Sequence, residues 1–224
     1  MSASAVVFWD IDGTLVRGSL ERLFLKYLLQ QEHVTRIGTA ANVLLLALYF
    51  PPPKSYQIKL AYLRNQKVGE VETWIQRCWD ESIKQNLFDG ARQVITQLAN
   101  TGARQVLLSG TLKPLASPLM THLGIDEIIA AEPEIVNQRY SGRLIEPHPH
   151  GEYKALYAER WLAANDLSWD RVVALANHGN DRYLLKKASR AIAVHPDQKL
   201  RQIAKHQDWP IANNLKDVAA YVIQ

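Results

Sequence analysis

Residues 5–15 of the chain read AVVFWDIDGTL, an apolar run that ends on two acids separated by one residue. A continuous apolar run of this length is typical of a strand covered on both faces, as in a parallel sheet. Similar runs occur farther along the chain, with helical periodicity between them. This alternation predicts an α/β fold with a doubly wound, mostly parallel sheet. The further predicted strands are Gln105–Leu108, Ile128–Ala131, Arg171–Ala176 and Arg190–Val194, and the predicted helices beside them are Gly90–Asn100, Pro114–Leu123, Tyr153–Asn165 and Arg182–Ala188.

Residues 19–88 interrupt this alternation. Four successive stretches have helical periodicity, without a convincing strand pattern, and Pro51–Pro53 marks the clearest corner between them. We therefore expect a small all-helical insert at about residues 17–88, carried on a core of residues 1–16 and 89–224. The four stretches are Leu20–Leu28, Gly38–Phe50, Tyr56–Leu63 and Val68–Ile83, and a hairpin is predicted within Ile135–Ile145.

Composition and charge exclude several classes of protein. The 26 basic and 22 acidic residues give a formal net charge of only +4. These charges are interspersed, which argues against a nucleic-acid partner. The single cysteine, Cys78, excludes an intramolecular disulfide and a cysteine-rich zinc site. Because the N-terminus also lacks a signal-peptide pattern, we expect a cytoplasmic protein.

One apolar stretch requires comparison with a membrane span. Residues Ala40–Phe50 read AANVLLLALYF, about half of the roughly 20 apolar residues that a spanning helix needs. The length predicts a buried helix and no stable span. The alternative is an interfacial helix, or a lining for an apolar substrate.

The strongest chemical signal is the pair of acids Asp10 and Asp12 at the end of the first strand. In open α/β sheets, ligands bind outside the carboxyl ends of the strands. If the chain turns after Asp10, as Gly13 permits, both carboxylates can face one pocket. One ionised acid can then attack while the other gives and takes protons. The alternative is an acidic strand end that caps the next helix.

The segment Asp10–Leu15, DIDGTL, resembles the first motif of the haloacid dehalogenase (HAD) superfamily. Three later segments resemble its other motifs, in the expected order. They are Ser109-Gly110-Thr111 after QVLL, Lys154 in GEYK, and Ala176–Asp181 after RVVALA. The helical insert and the tail at residues 191–211, AIAVHPDQKLRQIAKHQDWPI, resemble the phosphoserine-phosphatase-like branch, subclass IB, where the insert is a cap domain over the site. They are also similar to phosphatidylglycerophosphatase C-like members.

This resemblance implies a Mg²⁺-dependent phosphomonoester hydrolase that acts through an aspartyl-phosphate on a small or amphiphilic phosphorylated metabolite. Asp10 would be the nucleophile, and Asp12 the general acid and base. Ser109, Gly110 and Lys154 would bind the phosphate. The implied metal ligands are Asp10, Asp12 through its main-chain carbonyl, Asn177 and Asp181. The physical chemistry agrees, because a phosphate dianion repels a carboxylate nucleophile unless cations neutralise it.

The fourth motif departs from the family pattern. With Asp181 as its last acid, Asn177 stands where the resemblance places the first, metal-binding aspartate. An amide oxygen can bind Mg²⁺ but brings no charge, so we expect weaker metal binding. Two outcomes stay open: an active enzyme with a raised metal requirement, or a catalytically weakened protein that binds phosphorylated ligands. A phosphotransferase is a third hypothesis.

The outer part of the site is less well defined. Glu21 and Arg22 are candidate specificity residues, because the resemblance implies a glutamate and an arginine in the cap. His178 is expected to be an ordinary loop histidine, with an imidazole near the metal or leaving group as the alternative. His148-Pro149-His150 predicts a surface loop. The apolar Ala40–Phe50 stretch favours contact with a lipid or another amphiphilic phosphate, and the sequence leaves the exact substrate and the oligomeric state open.

Overall fold

The centre of the molecule is a six-stranded sheet, seen in a computed structural model that describes residues 5–49 and 60–223. The strands are β1 (Val6–Trp9), β2 (Arg104–Leu112), β3 (Glu127–Ala131), β6 (Val172–Ala176), β7 (Arg190–Val194) and β8 (Ile211–Ala212), and a separate antiparallel hairpin is formed by β4 (Pro133–Val136) and β5 (Arg139–Leu144). The order in the large sheet is β3-β2-β1-β6-β7-β8, and all neighbours are parallel. Because β1 lies between β2 and β6, the strand order reverses beside it, where doubly wound sheets bind ligands.

Helices cover both faces of this sheet. Within the described residues the α-helices are α1 (Leu20–Gln30), α2 (Arg36–Tyr49), α3 (Val68–Cys78), α4 (Ala91–Ala99), α5 (Lys113–Leu123), α6 (Glu152–Ala164), α7 (Arg182–Lys187), α8 (Gln198–His206) and α9 (Val218–Ile223). The side chains of β1 alternate between the two layers. Val7 and Trp9 pack with α4, α5 and α9, whereas Val6 and Phe8 pack with α6, α7 and α8. The predicted fold class is therefore confirmed.

The described part of the insert is helical, and its two ends lie side by side. Where the chain enters, Arg17 donates its main-chain N–H to the Asn86 carbonyl at 2.7 Å; where it returns, Phe88 donates to the Leu15 carbonyl at 2.9 Å. The buried face of α1, which includes Leu20 and Phe24, joins the same hydrophobic cluster as the core. These contacts support the division at residues 17–88, which stays a prediction.

The insert departs from the predicted helices, and some of the predicted residues lie outside those that the structure describes. The predicted helix Val68–Ile83 ends at Cys78 and continues as one wider, π-helical turn from Trp79 to Ile83. Residues Phe50 and Pro51–Pro53 lie outside the described residues, as does most of Tyr56–Leu63. The described end of that stretch forms a short 3₁₀ turn, Ala61–Leu63.

Helix α2 corrects one expectation. The prediction that Ala40–Phe50 is buried is wrong for the side chains that the structure describes, since Leu44 is 66% exposed and Val43 is 40% exposed. The reason is that these two side chains, like that of Ile37, lie on a side of α2 that faces solvent. No helix within residues 5–49 and 60–223 combines the length and apolar character that a membrane crossing requires.

Candidate active site

A pocket of about 410 Å³ opens beside the carboxyl end of β1. Asp10 follows β1 directly and donates its main-chain N–H to the Leu175 carbonyl of β6 at 3.0 Å. Gly13 has a φ of +80°, and the turn that it makes brings Asp12 to the same pocket as Asp10. The pocket collects all nine predicted site residues: Asp10, Asp12, Glu21, Arg22, Ser109, Gly110, Lys154, Asn177 and Asp181. Their chemical roles remain predictions.

A buried lysine joins two of the acids at the floor of the pocket. Lys154 Nζ lies 2.6 Å from Asp10 Oδ1 and 3.0 Å from Asp181 Oδ1, with all three side chains 7% exposed or less. Burial lowers the pKa of Lys154, but the two adjacent carboxylates outweigh it, so this pKa is raised and the lysine stays charged. Burial raises the pKa of Asp10 to about 6, although Lys154 acts in the opposite direction.

Asp12 is held from two sides by neutral donors. The main-chain N–H of Leu20, the first residue of α1, donates to Asp12 Oδ1 at 3.0 Å, and Thr111 Oγ1 donates to Asp12 Oδ2 at 3.1 Å. Burial raises the pKa of Asp12 despite these bonds, which stabilise the ionised form. A raised pKa suits a carboxyl group that must carry a proton.

Two threonines at the site were not predicted. Thr14 Oγ1 donates to Asp10 Oδ2 at 2.7 Å, so both carboxylate oxygens of Asp10 have a donor. Thr111 bonds Asp12, as described above, and its main-chain N–H donates to Ser109 Oγ at 3.2 Å. Both threonines are buried, and both lie within the segments that resemble the first and second motifs, a position that could have indicated a role at the site.

Asn177 packs against Gly13, the residue that follows Asp12. A Cβ atom built on Gly13 would lie 2.0 Å from Asn177 Nδ2 and 2.8 Å from its Cγ. Only glycine therefore fits beneath this amide, and the same glycine supplies the left-handed turn. Asn177 therefore lies against the turn that follows Asp12, and its role as a metal ligand stays a prediction.

The donor set at the floor fits a hard divalent cation. The side chains of Asp10, Asp12 and Asp181 bring three carboxyl groups, against one ammonium group from Lys154. Carboxylate, amide and main-chain carbonyl oxygens are the ligands that Mg²⁺ accepts. In the part of the chain that the structure describes, no three His, Cys, Asp or Glu side chains form a metal-binding group. A metal ion at this site would therefore need the Asn177 amide and the Asp12 main-chain carbonyl, both predicted ligands, as well as carboxylates.

Three histidines line the outer part of the pocket. His148 and His150 lie there with ring centroids 5.4 Å apart. The segment is a loop with His150 exposed, as predicted, but that this loop borders the pocket was not predicted. The loop enters the site because His148 packs over Gly110, where a Cβ atom would lie 3.1 Å from its ring. His178 also lines the pocket, and its Nδ1 accepts the main-chain N–H of Asn180 at 3.1 Å.

Comparisons with known proteins identify similar chains. The model of the haloacid dehalogenase-like hydrolase family matches residues 7–186. Phosphoserine phosphatase SerB1 of Mycobacterium tuberculosis is 27% identical over 217 residues, covering 93% of this chain and 70% of that protein. The solved structure of a Bordetella pertussis protein of unknown function matches with a TM-score of 0.83 at 21% identity, over 95% of this chain and 99% of that one. A phospho-aspartyl intermediate analogue of phosphoserine phosphatase matches with a TM-score of 0.68 at 20% identity, over 99% and 100% of the two chains.

Proposed function

We propose that this chain, which belongs to the haloacid dehalogenase-like hydrolase family, hydrolyses phosphate monoesters through a covalent phosphate on Asp10. The observation that carries this proposal is the buried bridge from Asp10 through Lys154 to Asp181, at the point where the strand order reverses. The 27% identity to a phosphoserine phosphatase supports phosphate monoesters as the substrate class.

The proposed reaction has two steps. In the first, a carboxylate oxygen of Asp10 attacks phosphorus, the ester P–O bond breaks, and Asp12 gives its proton to the leaving oxygen. In the second, Asp12 takes a proton from water as the water oxygen attacks phosphorus, which releases phosphate and restores the Asp10 carboxylate. Lys154 and the neutral donors around Ser109 and Gly110 hold the phosphoryl oxygens. The charge of Lys154 and the hydrogen bonds from the neutral donors favour the transition state.

We further propose that Asp10, the Asp12 carbonyl and Asn177 hold Mg²⁺, with Asp181 beside them. When bound, Mg²⁺ supplies charge that offsets both the phosphate dianion and the clustered carboxylates. The contact of Asn177 with Gly13 supports this assignment. The single cysteine supports the further proposal of a cytoplasmic protein.

Hydrolysis of an aryl phosphate by the wild type should depend on Mg²⁺, and Asn177→Asp should reach half-maximal rate at lower Mg²⁺. The added carboxylate restores a charged ligand, and we expect roughly a tenfold shift, since one charged ligand contributes about 1–2 kcal/mol at partly screened sites. The measurement is the initial rate across a Mg²⁺ titration. The control, Asn100→Asp, adds the same charge at an exposed helix end far from the site.

The same titration separates the competing hypotheses. An inactive wild type that becomes active as Asn177→Asp would contradict the enzyme proposal and support a protein that only binds phosphorylated ligands. Formation of a new phosphate ester when an alcohol is added would favour a phosphotransferase. An identical Mg²⁺ dependence of Asn177→Asp and wild type would contradict the ligand role of Asn177.

A second cavity supports an amphiphilic substrate. This groove, of about 850 Å³, lies along one face of α1 and the start of α2. Leu25, Leu29 and Val34 give it an apolar lining, and Lys26 adds positive charge. Arg22 lines both the groove and the catalytic pocket. From Arg22 to Leu29 the helix rises about 10 Å, enough for an alkyl chain that leaves the catalytic pocket beside Arg22.

The groove predicts a dependence on alkyl chain length. Each methylene that enters it should contribute up to about 0.8 kcal/mol, so kcat/KM should rise at least tenfold from ethyl phosphate to octyl phosphate. Leu29→Ser should remove most of this gain and leave ethyl phosphate unaffected. The control is Ile135→Ser, at an apolar position on the β4–β5 hairpin that is 47% exposed. Equal kcat/KM values for the two esters, measured below the micelle concentration, would contradict the amphiphilic substrate.

A further inference from the structure

One aspartate in the tail, outside the four motif segments, contacts the loop that carries Asn177. Asp197 directly precedes α8, and its main-chain N–H donates to the Asn177 carbonyl at 2.8 Å. Its side-chain Oδ2 accepts the main-chain N–H of Gly179 at 3.3 Å. The same oxygen lies 3.4 Å from His178 Nε2. Asp197 thus contacts three consecutive residues of the loop. Its side chain contacts His178 and Gly179, and its main chain contacts Asn177.

The first turn of α8 also closes over this loop. Gly179 is buried, and a Cβ atom built on it would lie 2.7 Å from Lys199 Cγ and Cδ and 3.0 Å from Lys199 Cβ. His178 adds an internal contact, since its Nδ1 accepts the N–H of Asn180. The loop is therefore held against α8 on one side, while Asn177 packs on Gly13 on the other.

We propose that Asp197, assisted by His178, is the positioning residue for Asn177 at the metal site; this inference rests on the proposed function. An amide ligand attracts a cation less strongly than a carboxylate, so metal binding depends more on holding its oxygen in place beforehand. Groups behind a ligand that fix its orientation commonly change metal affinity by about 10–100-fold. Among the described residues Asp197 lies behind the pocket lining, so it acts through Asn177.

The two carboxylate oxygens of Asp197 allow this role to be separated from helix capping. Oδ1 accepts the N–H of Leu200 at 2.6 Å and caps α8, whereas Oδ2 faces the loop. Asp197→Ser retains a good N-cap residue but lacks the second oxygen. Asp197→Asn keeps the shape and one acceptor, but its NH₂ group cannot accept from the Gly179 N–H. Asn214→Ser is the matched control, because Asn214 also caps a turn, Leu215–Asp217, and its side chain bonds Asp217 and not the Asn177 loop.

The test is calorimetric titration of each variant with Mg²⁺, with the Mg²⁺ dependence of aryl phosphate hydrolysis and the Tm in EDTA measured alongside. Asp197→Ser and Asp197→Asn should bind Mg²⁺ about tenfold more weakly, while kcat at saturating Mg²⁺ falls less than the affinity does. Asn214→Ser should bind Mg²⁺ as the wild type does. If Asp197→Ser fails to fold, Asp197→Asn makes the same comparison.

The outcomes distinguish this inference from the proposed function. Wild-type Mg²⁺ affinity in both Asp197 variants, with only a lower Tm, would overturn the positioning role and leave the hydrolase proposal intact. A wild type that hydrolyses phosphate esters without binding Mg²⁺ would overturn the positioning role together with the metal assignment. A wild type with neither property would overturn the proposed function as well.

Discussion

Replacement of Asp10 by asparagine should lower kcat for phosphate monoesters by about 10⁴-fold or more, the scale expected when a covalent nucleophile is removed. The amide has nearly the shape of the carboxylate but cannot form the phosphoenzyme. The fold should persist, because Lys154 keeps its contact with Asp181. The measurement is kcat at saturating Mg²⁺ and substrate.

The matched control is Asp126→Asn, the same change at an exposed position, which should retain wild-type kcat. A kcat within tenfold of the wild type for Asp10→Asn would contradict its role as nucleophile.

Stability gives a second readout. Burial raises the pKa of Asp10 from 3.8 to about 6. Between these pH values the folded protein holds a proton on Asp10 that the unfolded chain releases, so the free energy of unfolding falls as the pH rises through that window. Asp10→Asn should lack this pH dependence when Mg²⁺ is absent.

Replacement of Lys154 by methionine should lower both activity and stability. The buried lysine compensates two buried carboxylates, and removal of one member of such a cluster typically costs about 3–5 kcal/mol. Loss of a cation that faces the phosphate should lower kcat/KM by about 10³-fold. Without Lys154, the pKa of Asp10 should rise further, because the lysine lowers it. The variant should therefore regain stability as the pH falls and the acids become neutral.

Urea unfolding at pH 5 and pH 8 in EDTA measures this effect. The control is Lys187→Met, which breaks an exposed ion pair with Glu159 of 2.8 Å and should change the free energy of unfolding by less than about 1 kcal/mol. Equal stability of the two variants at pH 8 would contradict the compensating role of Lys154.

The core of this fold could be predicted because its strands are buried on both faces. Val6 to Trp9 are all 1% exposed or less, and such burial requires the continuous apolar run that the sequence displays. The acids at the end of that run could be predicted for the same reason, since an acid that interrupts an apolar strand is conspicuous. β8 could not be predicted, because a two-residue strand is too short for any periodic pattern.

The contacts that complete the site could not be predicted, because they join residues far apart in the chain. Thr111 meets Asp12 across 99 residues, and Asp197 meets Gly179 across 18. The sequence around His148 and His150 predicts a surface loop, but it does not reveal that the loop borders the pocket, because that depends on the packing of His148 over Gly110. The exposure of Val43 and Leu44 likewise follows from which side of α2 they occupy, which the apolar composition alone does not reveal.

The most direct test of the central claim is to trap the phosphate on the protein. Wild-type enzyme mixed with a fast aryl phosphate and Mg²⁺ is quenched with borohydride, which reduces an aspartyl-phosphate to homoserine, and the peptides are sequenced by mass spectrometry. The account predicts homoserine at position 10, in amounts that depend on both substrate and Mg²⁺. Full hydrolysis with aspartate unchanged at position 10, or with homoserine at another acid, would contradict it.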